Sequence, residues 1–182
     1  MTVDAQVDLG PLVAELGDDV VVSDRERMDK YRWDRANDPD AGVPLAVVRA
    51  GSTEDVQAAV RFAAAHGIPV VPRGAGSGLS GGASAVHGCL VVSTERMTAI
   101  NVDPVTRTAV VQPGLLNARV KAAAAEHGLW YPPDPSSYEI CSIGGNIATN
   151  AGGLCCVKYG VTTDYVLGLT CLLYTSPSPR DS

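Results

Sequence analysis

A run of glycines that directly follows a buried strand constrains this chain more than any other feature. The run covers residues 72–82 and reads PRGAGSGLSGG, and the apolar residues 68–71 precede it. Because glycine has no Cβ, several backbone N–H groups can turn into one concavity there. Such a concavity is typical of sites for a phosphate or a pyrophosphate. A flexible linker is the alternative, but Gly-rich linkers seldom begin directly after a buried strand.

Two common nucleotide motifs do not explain this run. Residues 76–81 match the G-x-G-x-x-G pattern of dinucleotide-binding folds, yet that pattern requires a helix to open at the loop. Residues 82–88 contain no helical apolar repeat. The run also lacks the Gly-Lys-Ser/Thr ending of a P-loop. A Rossmann fold and a P-loop are therefore not expected.

The segment before the run predicts a βαβ unit. Residues 45–48 and 68–71 are apolar and indicate strands, while Ser52 with Asp55 indicates the N-terminal cap of a helix that ends at Gly67. Five apolar residues fall on one predicted face of this helix: Val56, Ala59, Val60, Ala63 and Ala64. Strand, helix and strand in this order imply a parallel pair with a right-handed crossover.

The pattern changes after the glycine run. Short apolar segments at 90–92, 100–102 and 108–111 are separated by turn residues, which favours an antiparallel sheet. A helical repeat at 115–127 ends at Gly128. The sequence therefore predicts an α+β fold with a βαβ lobe and a more antiparallel lobe.

Charge, cysteine content and hydropathy exclude several classes of site and partner. The net charge is −6 without a run of Lys or Arg, so neither nucleic acid nor an anionic membrane surface is expected as a partner. The adjacent pair Cys155 and Cys156 lacks the C-x-x-C spacing of metal or redox sites. We expect reduced, buried thiols and no bound metal for the cysteines, which are Cys89, Cys141, Cys155, Cys156 and Cys171. The N-terminus has no apolar signal segment. Residues 140–157 carry no charge, but they are too polar to span a bilayer. A cytoplasmic protein is therefore expected.

A second block rich in small residues lies near the end of the chain. It begins with PPDPSS at residues 132–137 and continues with SIGGNIATNAGG at residues 142–153. Two Gly-Gly pairs bracket Asn146, Thr149 and Asn150, whose side chains supply hydrogen-bond donors and acceptors. The glycines allow a planar ligand to approach the main chain. A polar ligand with a flat ring is therefore one that this block could bind.

Four motifs in this order resemble the FAD-binding domain of the p-cresol methylhydroxylase/vanillyl-alcohol oxidase (PCMH-type) superfamily. They are PRGAGSG at 72–78, QPG at 112–114, PPDPSS at 132–137 and IGGNIATNAGG at 143–153. Within the superfamily the chain is most similar to the flavin subunits of glycolate oxidase and D-lactate dehydrogenase, from about residue 9 to residue 169. The resemblance implies an α+β domain of two lobes with FAD extended between them, which agrees with the two lobes predicted above.

The resemblance also implies which residues bind the cofactor. The pyrophosphate would be held by the first run, at Arg73, Gly74, Ala75, Gly76, Ser77, Gly78, Leu79, Ser80 and Gly81. A second set of residues would line the rest of the cofactor. These are Gly114, Pro135, Ser136, Ser137, Cys141, Ser142, Gly144, Gly145, Asn146, Ala148, Thr149, Asn150, Gly152 and Gly153. Several members of the superfamily attach the flavin to a histidine in the first loop, whereas Ser77 stands at the corresponding position here. The resemblance therefore implies non-covalently bound FAD.

The reaction implied by the resemblance is oxidation of a D-2-hydroxy acid, of the glycolate or D-lactate type, by hydride transfer to flavin N5. The base and any metal-binding histidines would come from a substrate domain beyond residue 170, and a separate subunit could accept the electrons. No general base can be named in this chain, because Asp134 and Glu139 are more typical of turns and caps. Two alternatives stay open. One is a module that binds FAD or another nucleotide without turnover, and the other is an oxidoreductase of the superfamily that acts on an alcohol, a sugar or a nucleotide sugar.

The chain divides into three predicted segments. Residues 1–40 form a helical and charged segment in which Tyr31 and Trp33 could anchor to a core, and residues 41–170 form the FAD-binding domain. Residues 171–182 contain two prolines and three serines and resemble translated read-through of a sequencing adapter. We therefore expect a disordered, non-native tail on a C-terminally truncated fragment that is inactive alone.

Overall fold

The computed structural model describes residues 7–170 and residue 172. The predicted tail lies outside the described residues except for Leu172, and so do Cys171 and residues 1–6. The described strands are β1 (Val21–Val22), β2 (Ala46–Arg49), β3 (Val70–Arg73), β4 (Leu90–Ser93), β5 (Ile100–Asp103) and β6 (Thr108–Val111). The described α-helices are α1 (Gly10–Leu16), α2 (Arg25–Met28), α3 (Thr53–His66), α4 (Asn117–Glu126), α5 (Ile143–Thr149) and α6 (Cys156–Tyr159). Short 3-10 helices cover Asp29–Tyr31 and Thr162–Tyr165.

The first lobe is built on a sheet with the strand order β1-β2-β4-β3. β4 lies between β2 and β3 and is parallel to both, so Val91 is paired with Val47 on one side and with Val71 on the other. β1 pairs antiparallel with β2 at one edge. One face of the sheet packs against α1 and α3, and the opposite face packs against Met28 and Tyr31. The segment before β2 is therefore part of the core of this lobe.

Two sequence predictions about this sheet are wrong. Residues 90–92 do not join an antiparallel sheet, because β4 is the central parallel strand. Every residue of β4 is buried, and a continuous apolar run is typical of a strand covered on both faces. The strands at the two ends of the βαβ unit are parallel as predicted, but they are not neighbours, since β4 separates them.

Helix α3 begins and ends as predicted, and three of the five residues of its predicted face, Val56, Ala59 and Ala63, pack against the core. The Ser52 hydroxyl accepts from the Asp55 N–H at 3.1 Å, and Gly67 ends the helix with a left-handed φ of 63°. The Asp55 carboxylate accepts from the N–H of Gly51 rather than from that of Ser52. Val60 is 37% exposed and Ala64 is exposed, which contradicts the predicted face. The buried residues are Ala58, Ala59 and Ala63, and Phe62 packs against the same core as Ala59 and Ala63.

The second lobe contains the β5–β6 hairpin and the helices around it. β5 and β6 pair antiparallel as predicted, with Ile100 opposite Val111. α4 lies within the predicted range and packs against α5 through Val120, Leu115 and Ile143. Helix α5 was not predicted, since Gly144 and Gly145 lie in its first turn and glycine is a poor helix former. In the described part of the chain no helix is long and apolar enough to cross a membrane.

Candidate functional site

The first glycine loop, residues 74–83, connects the end of β3 to the segment before β4 without helix or strand. Gly76 and Gly81 have φ values of 66° and 75°, which favour glycine. In the described part of the chain, the backbone N–H groups from Gly76 to Ala83 donate to no protein atom. A row of unpaired donors on a loop with left-handed glycines is the arrangement that binds anions.

The segment that carries Asp34 and Arg35 supports this loop from below. The Arg35 N–H donates to the Gly78 carbonyl at 3.0 Å. Asp34 is only 4% exposed, and its carboxylate accepts from the Ser84 hydroxyl at 3.4 Å and from the Ala36 N–H at 2.9 Å. The charged composition of the segment around Asp34 and Arg35 resembles that of an exposed surface, so its sequence predicts no function for it.

Arg73 lies beneath the loop rather than on its open side. Its guanidinium donates from Nη1 to the Ala83 carbonyl at 3.1 Å and from Nη2 to the Lys30 carbonyl at 3.3 Å. Arg73 is 9% exposed, and burial lowers the pKa of its guanidinium, although charge interactions with Asp34 and Tyr31 act in the opposite direction. A Cβ on Gly76 would overlap the guanidinium. Gly76 is therefore required by packing within the protein as well as by its φ angle.

A polar cluster at the ends of β2 and β4 adjoins Arg73. Glu95 Oε1 accepts from the Tyr31 hydroxyl at 2.7 Å and from Arg49 Nε at 2.6 Å. Burial would raise the pKa of Glu95, but these two hydrogen bonds outweigh it and hold the pKa below its ordinary value. Burial and the neighbouring Glu95 raise the pKa of Tyr31 to about 12. Glu95 also lines a cleft of about 420 Å³ together with Ala75, Thr98, Gly114, Leu115, Leu116 and Arg119.

The second glycine block meets the first loop at Ser142. The Ser142 hydroxyl is buried and accepts from the Ala75 N–H at 3.2 Å. Ser142 precedes α5, and the Gly145 N–H in the first turn of that helix donates to no protein atom in the described residues. A Cβ on Gly74 would come within 3.6 Å of this same N–H. The two blocks that the sequence singled out are thus in contact.

Several predicted site glycines are explained by close packing inside the protein. A Cβ on Gly114 would overlap the Thr94 carbonyl, and one on Gly153 would overlap the Asp134 carbonyl. A Cβ on Gly144 would lie 2.8 Å from Cβ of Pro113. By contrast, a Cβ on Gly81 would meet nothing within 4 Å, and one on Gly78 only the Asp34 carboxylate at 3.8 Å. Gly78 and Gly81, together with Gly82, are therefore loop glycines beside open space.

The other predicted site residues fall into exposed and buried groups. Leu79 is 75% exposed, and Ser77, Ser80, Ser136, Ser137, Ala148 and Thr149 are also exposed or half-exposed. Pro135, Cys141 and Asn146 are buried. The Asn146 amide nitrogen has no hydrogen-bond partner among the described residues although it is shielded from solvent. Asn150 has a φ of 48°, and its side-chain oxygen accepts from the Thr163 N–H at 3.0 Å, so it anchors the end of α5.

Asp134 holds the end of the second block and is not arranged as a base. Its carboxylate accepts from the Cys155 N–H at 3.2 Å. Partial burial would raise the pKa of Asp134, but hydrogen bonds from Cys155 outweigh it and lower the pKa. Cys89 and Cys141 are buried as predicted, whereas Cys155 and Cys156 are half-exposed, which the sequence analysis did not predict. Residues 7–170 contain no group of three potential metal ligands.

Comparisons with known proteins identify a family and several relatives of this chain. The model of a family described as "FAD binding domain" matches residues 44–176. A D-2-hydroxyglutarate dehydrogenase of Xanthomonas citri pv. viticola is 49% identical over 138 residues, which are 75% of this chain and 29% of that protein. Glycolate oxidase subunit GlcD of Bacillus subtilis is 43% identical over 132 residues, 72% of this chain and 28% of that protein. A D-lactate dehydrogenase of Archaeoglobus fulgidus is 42% identical over 148 residues, 80% of this chain and 33% of that protein. The chain thus spans about a third or less of the length of these relatives.

Solved structures share the fold. Alkyldihydroxyacetonephosphate synthase superposes with a TM-score of 0.77 at 23% identity, over 92% of this chain and 33% of that chain. p-Cresol methylhydroxylase superposes with a TM-score of 0.66 at 24% identity, over 77% of this chain and 28% of that chain. These similarities confirm the PCMH-type fold that the sequence predicted. The chain belongs to the FAD binding domain family, and FAD is its cofactor.

Proposed function

We propose that this chain is the cofactor-binding part of a flavin-dependent oxidoreductase that oxidises a D-2-hydroxy acid. Relatives at 42–49% identity are named as dehydrogenases or oxidases of 2-hydroxyglutarate, lactate and glycolate. The family model covers the glycine loop and the second block, and both carry unpaired backbone donors. A separate electron-acceptor subunit and a cytoplasmic location stay predictions.

The unpaired backbone N–H groups from Gly76 to Ala83 are the observation that carries this proposal. FAD contains a diphosphate, and its oxygens are acceptors that such a row of donors can satisfy. Gly78 and Gly81 border open space, so a ligand can approach their backbone. The residues present therefore fit the diphosphate of FAD.

The second block would hold the remainder of the cofactor. The free N–H of Gly145 lies beside Gly74, where the two blocks meet. The buried Asn146 amide offers an unpaired donor in the same helix. Ala148 and Thr149 are exposed at the end of α5, so a ligand can reach this end of the helix. These features support binding of the ribityl chain and ring along α5 by the residues predicted from the sequence.

The mechanism divides between this chain and the rest of the protein. When bound, FAD supplies an acceptor for the hydride that leaves the α-carbon of a hydroxy acid. In this division, residues 74–83 and 142–153 fix the cofactor in position. Asp134 is not placed as its base, since the Asp134 carboxylate accepts from the Cys155 N–H. We infer that the base and the groups that orient the substrate lie outside this chain.

The proposal predicts reversible binding of FAD without a covalent bond, because Ser77 cannot form the histidyl link of some superfamily members. The chain is mixed with FAD, freed of excess ligand and denatured. We expect the yellow chromophore to appear in the supernatant. Flavin that stays with the precipitate, or a chain that retains no flavin, would contradict the proposal.

Gly78→Val offers a sharper test than a change at Gly76. A Cβ at Gly78 has room within the protein, whereas one at Gly76 would overlap Arg73 and disturb the loop itself. We expect Gly78→Val to weaken FAD binding by about 10-fold or more, measured by fluorescence titration, with little change in thermal stability. Equal affinities of the variant and the parent chain would place the diphosphate elsewhere.

A further inference from the structure

We propose that Arg73 is a positioning residue, which holds the glycine loop in its diphosphate-binding shape from beneath and does not contact the cofactor. This inference rests on the proposed function of the loop. It replaces the direct contact that the sequence resemblance implied for Arg73.

The hydrogen bonds of Arg73 join three separate parts of the chain. The residue ends β3, immediately before the loop, and its Nη1 reaches the carbonyl of Ala83, the last residue of the loop. Its Nη2 reaches the Lys30 carbonyl in the 3-10 helix Asp29–Tyr31. One side chain therefore fixes the distance between the two ends of the loop and ties both ends to the sheet.

The guanidinium also forms the floor under the middle of the loop. The backbone of Gly76 lies so close to it that a Cβ would overlap Nη2. The guanidinium carbon also lies 5.9 Å from the centre of the Tyr31 ring. The guanidinium thus lies close to both Gly76 and Tyr31, and it uses none of the backbone donors of the loop.

The charge of Arg73 is suited to a loop that binds an anion. Among the described residues, Arg73 forms no ion pair, and its donors are used on neutral carbonyls. Charges under a loop and away from water are screened less than exposed ones. The cation therefore favours an anionic ligand on the loop without touching it.

The test compares Arg73→Met and Arg73→Lys with the parent chain, using FAD, ADP and riboflavin as probes. Arg73→Met removes both the charge and the hydrogen bonds, while Arg73→Lys keeps the charge and loses the planar bridge between Ala83 and Lys30. Arg61→Met is the matched control, because Arg61 is an exposed residue of α3 that pairs with Glu15 at 3.2 Å. Binding is measured by flavin fluorescence and by ADP competition, and folding by circular dichroism.

We expect Arg73→Met to weaken FAD and ADP binding by about 10- to 100-fold, which corresponds to the loss of hydrogen bonds to a charged group. Riboflavin has no diphosphate, so its affinity for Arg73→Met should differ by less than about 2-fold from its affinity for the parent chain. Arg61→Met should bind FAD, ADP and riboflavin with the affinities of the parent chain. The affinities of Arg73→Lys for FAD and ADP should lie between those of the parent chain and those of Arg73→Met. If Arg73→Met does not fold, the same selective loss in Arg73→Lys is the deciding result.

Two outcomes would overturn the inference. One is an FAD affinity in folded Arg73 variants equal to that of the parent chain. The other is an equal loss for riboflavin and FAD, which would indicate general disruption of the fold. Failure of the parent chain to bind FAD or ADP would instead refute the proposed function, so the two failures are distinguishable.

Discussion

The two glycine-rich blocks have similar compositions but use glycine in opposite ways. In the first loop, residues 76–83 form neither helix nor strand, and their N–H groups are left without protein acceptors. In the second block, residues 143–149 form α5, and the N–H groups of Ile143 and Gly144 donate to the carbonyls of Leu115 and Pro113. Glycine exposes the backbone in one case and allows elements to pack closely in the other.

This difference shows that a count of glycines does not reveal their role. Gly153 and Gly144 contact other backbone segments closely, and their substitution should change stability first. Gly78 and Gly82 border open space, and their substitution should change ligand binding first. The following predictions test this separation, from the largest expected effect to the smallest.

Gly153→Ala should cause the largest loss of stability. The added methyl group would overlap the Asp134 carbonyl, which belongs to the backbone and cannot move without shifting the Pro-rich segment. We expect the free energy of unfolding to fall by about 1–3 kcal/mol or more, as for an overpacked core. Urea denaturation measures this change.

Gly82→Ala is the matched control for Gly153→Ala. A Cβ on Gly82 would have no neighbour within 4 Å, and its φ lies outside the left-handed region. The unfolding free energy should stay within about 0.5 kcal/mol of that of the parent chain. If both variants lose the same stability, the separation of the two blocks is incorrect.

Ser142→Ala should have an intermediate effect, because it breaks the contact between the blocks without adding bulk. The Ala75 N–H would lose its acceptor at 3.2 Å. We expect a loss of about 1 kcal/mol of stability, together with faster hydrogen exchange at Ala75. An unchanged exchange rate at Ala75 would mean that the first loop keeps its position without the second block.

The smallest effect concerns the ionisation of Tyr31 and becomes measurable only above about pH 10. The pKa of this phenol is raised to about 12, so the folded state keeps the proton longer than the unfolded state, whose tyrosines titrate near 10. The stability from this group is therefore present below pH 10 and is lost as the pH rises through about 12. Spectrophotometric titration should show one late tyrosine, which Tyr31→Phe removes. A titration without a late tyrosine would contradict the buried Tyr31–Glu95 hydrogen bond.

The elements of the fold were predictable where the pattern is local. The cap at Ser52, the end of α3 at Gly67 and the β5–β6 hairpin follow from neighbouring residues and are confirmed. The position of β4 was not predictable in this way. Its pairing with β2 and β3 depends on residues far away in sequence, and an apolar run of that length fits either a central parallel strand or an antiparallel one.

The candidate site was predictable as a set of motifs but not as a structure. The two glycine blocks are recognisable from composition, and Ser142 brings them together. The supporting residues Asp34 and Glu95 were missed because they are charged residues without a motif, whereas Tyr31 was predicted as a possible anchor to the core and is buried in it. Their burial depends on contacts across the fold, of which the Tyr31–Glu95 hydrogen bond is one. A large aromatic residue inside a charged segment was the one local signal of this role.

The central place of β4 also determines the order in which the first lobe can assemble. β2 and β3 both precede β4 in the chain, yet each pairs with β4 and not with the other. The βαβ unit therefore cannot complete its sheet hydrogen bonds until the residues of β4 are present. The glycine loop lies between β3 and β4, so we expect it to acquire its shape when β4 joins the sheet. We also expect a cofactor to bind after the sheet is complete.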